Sequence, residues 1–171
     1  RVKHVYRKYL KVGSRMGLSG ASAARRLLDA AGLREVGIEA VEGELSDHYD
    51  PRQRVLRLSE ANYSGSSIAA LGVACHEAGH AIQHGEKYAP LEFRQAIWPV
   101  VGFSSKLLLP LILLAFFARI PGLLDVAIVL YAVMAVFALV TLPVEFDASK
   151  RALALLSSHG IVAQDERSQA K

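Results

Sequence analysis

The sequence predicts a mostly α, α+β membrane protein. Three observations carry this: two long apolar stretches, a pair of short alternating segments, and an alanine-rich helical segment bearing His-Glu-x-x-His. At 171 residues the chain is long enough for one domain with its own core. A single membrane-embedded domain is therefore expected over residues 1–171. Its parts are a basic juxtamembrane arm (1–18), a segment with the short strands and the motif (19–96), two transmembrane helices (97–144), and a helix with a polar tail (145–171).

In chain order, residues 2–11 mix Val5, Tyr6, Tyr9 and Leu10 with bases, the pattern of a helix lying on a surface or leaving a membrane. Residues 1–34 hold nine Lys or Arg against one acid, Asp29, which suits an anionic lipid surface. Nucleic acid competes as the partner of such an arm. No recognition module accompanies it and apolar spans follow, so a lipid bilayer is expected and nucleic acid is not. From Ser19 a run of helix formers reaches Ala31, with Gly32 placed to end it. Residues 36–41 and 54–58 show partial apolar alternation around the turn-prone Asp47-His48-Tyr49-Asp50-Pro51, which predicts a small β-hairpin or two edge strands. The edge of 54–58 is the expected bed for an extended peptide.

Ser66 or Ser67 then caps a helix running to His84, where Gly85 can end it. Residues 98–118 are apolar apart from Lys106 and small polar side chains, and 126–144 is interrupted only by Tyr131 and Thr141. The second stretch covers about 28 Å as a helix, close to the roughly 30 Å of a hydrocarbon core. Arg119-Ile120-Pro121-Gly122 is a tight connection, so an antiparallel hairpin across the bilayer is expected. Lys106 and Pro110 keep a pair of soluble-core helices as the alternative. A lone cysteine, Cys75, excludes an intramolecular disulfide and reads as a small buried residue.

His76-Glu77-Ala78-Gly79-His80 supplies the chemistry. Residues four apart on a helix share a face, so both imidazoles can reach one tetrahedral cation. Zinc fits best, because it accepts nitrogen and carboxylate ligands and keeps one position for water. Glu77 is the expected general base toward that water. His84 shares the face of the two histidines, but eight residues of helix rise about 12 Å, too far for one coordination sphere. Glu145 is the better third ligand. It stands where the second span ends, just after Pro143, and a carboxylate there would be costly facing lipid. An interfacial acid paired with Lys150 or with neighbours of Arg119 is the alternative. Asp147 lies about 200° from Glu145 around a helix and reads as the partner of Arg151, four residues on.

The chain resembles the bacterial neutral zinc metallopeptidases of the YugP type and, more distantly, the HtpX and CAAX-protease group of Glu-zincins. The resemblance rests on Asp47-His48-Tyr49-Asp50-Pro51, Arg57-Leu58-Ser59-Glu60, Ser67-Ile68-Ala69-Ala70, His76 through Gln83, and Leu142-Pro143-Val144-Glu145-Phe146-Asp147-Ala148-Ser149. It implies a zincin-like helix, one zinc held by His76, His80 and Glu145, and hydrolysis of peptide or membrane-protein substrates. It also implies a multi-pass protein of the bacterial cell membrane; the flanking bases place its active site on the cytoplasmic side. Related Glu-zincins often show Glu-x-x-Ala-Asp, which puts Ser149 where their aspartate stands. Candidate oxyanion donors are His48, Tyr49, Tyr63, Arg151 and His159. A non-catalytic zinc-binding scaffold and a membrane-anchored adaptor are the rival readings.

Overall fold

The computed structural model describes residues 2–120, 122–158 and Gly160. It forms two compact units, Arg1–Glu86 with Phe146–Lys171, and Lys87–Glu145.

The first unit opens with α1 (Val2–Leu10) and α2 (Gly20–Ala30). The Ser19 hydroxyl accepts the Ser22 N–H at 3.2 Å to start α2, and Gly32, at φ +76°, turns the chain after it. Three short strands follow: β1 (Gly37–Val41), β2 (His48–Asp50) and β3 (Val55–Ser59), in the order β1-β3-β2. β1 runs parallel to β3, and β2 antiparallel to it. The hairpin is thus present, but between β2 and β3, and the turn occupies residues 51–54. The expectation of a usable edge on 54–58 is overturned, because β3 is paired on both sides. Its Leu56 and Leu58 are fully buried, so the most apolar strand takes the centre and the sheet edges fall to β1 and β2.

After the one-turn α3 (Glu60–Tyr63), α4 (Ile68–Gly85) begins at Ser67, whose hydroxyl accepts the Ala70 N–H at 3.1 Å. Ala74, Cys75, Ala78 and Ala81 of α4 pack with Leu27 and Leu28 of α2, Leu56 and Leu58 of β3, and Ala152 and Leu156 near the chain's far end. Burial pushes the Cys75 thiol up, so it stays an inert core residue. The small residues let backbones approach closely. A Cβ on Gly79 would stand 2.7 Å from the Ala148 carbonyl oxygen, so only glycine fits there without a shift. The basic arm is tied in through polar groups. Tyr6 donates to Asn62 Oδ1 at 3.0 Å, and Asn62 and the Ser59 N–H both donate to the Asp47 carboxylate.

The second unit is built from α5 (Ala89–Ala118) and the first part of α6 (Gly122–Ser158). Arg94 faces Glu145, while Trp98, one turn further along α5, meets Phe137, two turns earlier in α6. The two helices therefore run antiparallel, as expected. Arg119, at φ +53°, ends α5. Apolar side chains point outward: Phe116, Phe117, Ile128 and Leu139 are each about two-thirds exposed or more. Both helices are long and apolar enough to cross a membrane. Pro143, just before Glu145, lies inside a continuous α6. The loss of one backbone hydrogen bond is absorbed within a helix of 37 residues. His159 and the tail from 161 lie outside the described residues.

Candidate metal centre

α4 carries the motif in its second half. The His76 and His80 rings meet edge to face, with centroids 4.8 Å apart, as helical neighbours one turn apart should. His80 is buried, while His76 and Glu77 are half-buried. Each imidazole has its Nδ1 engaged: His76 with the Ser149 hydroxyl at 3.1 Å, and His80 with the Gln83 side-chain oxygen at 3.0 Å. Opposite the Gln83 oxygen, which only accepts, His80 Nδ1 carries the proton and Nε2 keeps the lone pair for a metal. The donor set and its supports fit a zinc ion.

Ser149 reaches the His76 ring from α6 with a hydroxyl. Glu145 stands one helical turn before Ser149 on α6. Its ion-pair partner is Arg94 at 3.6 Å, rather than Lys150 or a neighbour of Arg119.

The remaining candidates separate cleanly. His84 Nδ1 is bonded to the Tyr49 hydroxyl at 2.9 Å, two turns beyond His76. Burial pushes the Tyr49 phenol up, which keeps it a neutral hydroxyl. His48 is exposed, its Nδ1 at 2.8 Å from the Ser46 carbonyl. Tyr63 packs against the core. Arg151 holds Asp147 and Glu86, each at 2.5 Å. The expected Asp147–Arg151 pair is present, but Asp147 does more than pair: it also accepts from Gln83 Nε2 at 2.8 Å. Sequence reasoning missed Gln83. The available signal was its position three residues after His80, on the same helical face.

The whole chain, residues 1–171, matches the family described as "Putative neutral zinc metallopeptidase". The chain belongs to this family. It is 46% identical over 166 residues to the "Putative membrane protease YugP" of Bacillus subtilis (strain 168), covering 97% of this chain and 74% of that protein. No solved structure matches the chain.

Proposed function

We propose that this member of the zinc metallopeptidase family is a membrane-bound endopeptidase, with His76, His80 and Glu145 as ligands of one zinc and Glu77 as general base. The observation that carries the reading is the paired imidazoles on one face of α4, each with its Nδ1 occupied by a different side chain. When bound, zinc supplies a Lewis acid that acidifies water and polarises a carbonyl. The Glu77 carboxylate takes a proton from water as its oxygen adds to the scissile carbonyl carbon. It then returns the proton to the amide nitrogen as the C–N bond breaks, so an amine leaves. β2, whose Tyr49 reaches α4 at His84, offers an outer edge on which an extended peptide can add as a strand.

The two apolar helices are the membrane spans of this reading. The bases of residues 1–34 and Lys150 lie in chain segments on one side of the hairpin, against Arg119 alone in its connection, which supports a multi-pass protein with its site facing the cytoplasm. Accessibility mapping that puts α4 outside would reverse the orientation. The function is tested by zinc analysis of detergent-purified protein beside proteolysis of a generic substrate with and without chelator. Zinc near stoichiometry and chelator-sensitive cleavage are expected; protein that neither retains zinc nor cleaves would overturn the reading.

A further inference from the structure

Gln83 is fully buried, and its amide lies between two groups of opposite demand. On one side His80 Nδ1 is 3.0 Å from its oxygen; on the other, Asp147 Oδ2 is 2.8 Å from its nitrogen. An amide has a donor end and an acceptor end, and turning it over exchanges them. An ionised carboxylate only accepts, and a guanidinium only donates. Arg151 donates to Asp147 Oδ2 at 2.5 Å and to Glu86 Oε2 at 2.5 Å, which keeps the Asp147 carboxylate oriented as an acceptor.

We propose that Asp147 is a positioning residue which, through Gln83, dictates the tautomer of His80 and so its competence to bind the metal. With Asp147 taking the amide N–H, Gln83 can present only its oxygen to His80. The imidazole must then carry its proton on Nδ1, and its lone pair falls on Nε2. Were the amide to turn over, its N–H would face Nδ1 and draw the lone pair there, leaving Nε2 protonated and unable to coordinate. The chain of direction runs from Arg151 to Asp147, to Gln83, to His80, and every member lies in the first unit. The bond between His76 and Ser149 imposes no such direction, because a hydroxyl both donates and accepts.

This inference rests on His80 being a metal ligand, so the experiment includes His80→Ala as a separate arm. Zinc affinity is measured by chelator competition in detergent. The His80 ring tautomer is read from ¹⁵N shifts of histidine-labelled protein, assigned by its loss in His80→Ala. Asp147→Leu is expected to weaken zinc binding about tenfold or more, within the span of outer-shell losses, and to shift the metal-free His80 ring toward the Nε2–H form. The conservative variant Asp147→Asn is expected to keep both readouts near the parent. Its amide oxygen can stand at the Oδ2 position and accept from both Gln83 Nε2 and Arg151 Nε, as the carboxylate does. Zinc affinity within threefold of the parent in Asp147→Leu, with the ring still Nδ1–H, would overturn the proposal. So would an equal loss in Asp147→Leu and Asp147→Asn, which would show that an acceptor at position 147 does not direct the amide. Unchanged zinc binding in His80→Ala would sink the ligand assignment itself.

Discussion

The two histidines of one motif are supported in unlike ways. His80 is buried and ends a directed chain that starts at Arg151, whereas His76 is half-buried and leans on a serine hydroxyl. The difference follows from where α6 passes. Ala148 touches the α4 backbone at Gly79, and the residues on either side of Ala148, Asp147 and Ser149, reach out to the two histidines along separate routes. One close helix contact thus serves both histidines. The rigid support goes to the more deeply buried of the two, where an unmet imidazole N–H would cost most.

The largest effect is expected from a change that leaves both supports intact. Glu77→Gln removes the proton acceptor and no ligand, so zinc content should stay at the parent level while hydrolysis falls by a factor on the order of 100 to 10,000. Cleavage within tenfold of the parent, at equal zinc content, would show that the base lies elsewhere. Next comes Glu145→Ala, which deletes a carboxylate that neither histidine support can replace. Zinc affinity and cleavage should both fall sharply, whereas Glu145→Asp should lose less of each. Retention of zinc at limiting metal would break the proposed ligand set and leave the two histidines as only part of the site.

The motif, its helix, the Ser19 and Ser67 caps and the apolar hairpin were all legible in the sequence, because each depends on residues a few positions apart. The sheet order was not. β2 lies inside a segment whose Asp, Pro and His content signals a turn, and its pairing with β3 is decided by tertiary burial of Leu56 and Leu58. The role of Asp147 was likewise hidden. From spacing alone its partner is Arg151, four residues away, and the bond to Gln83 spans 64 residues that only the fold brings together.

Gly79→Ala should disturb both supports at once. Alanine gains roughly 1 kcal/mol of helix propensity over glycine, but its Cβ would press to 2.7 Å on a backbone oxygen that cannot rotate away. Overpacking of this kind costs about 1 to 3 kcal/mol, so the clash outweighs the propensity. A lower midpoint in denaturant and weaker zinc binding are expected together. An alanine variant as stable as the parent with normal zinc affinity would mean that α4 and α6 can part without consequence for either histidine.

The smallest effect is expected at Ser149, and it bears most directly on the comparison. The Ser149 hydroxyl supports a half-buried imidazole, and water can take over its bond when the side chain is shortened. Ser149→Ala should therefore weaken zinc by no more than about tenfold, the low end of outer-shell losses, and by less than Asp147→Leu. Ser149→Asp acts in the opposite direction. A carboxylate accepting the His76 Nδ1–H makes the ring a stronger base and a better ligand. Its charge, one turn from Glu145, costs a few tenths of a kcal/mol by like-charge repulsion when no metal is bound, and bound zinc removes that penalty. Chelator competition on the three variants orders them: Ser149→Asp tightest, Ser149→Ala slightly weaker than the parent, Asp147→Leu weakest. Should Ser149→Ala lose as much affinity as Asp147→Leu, the two histidines would be equally dependent on α6, and the asymmetry between a directed chain and a hydroxyl free to turn would carry no energetic weight.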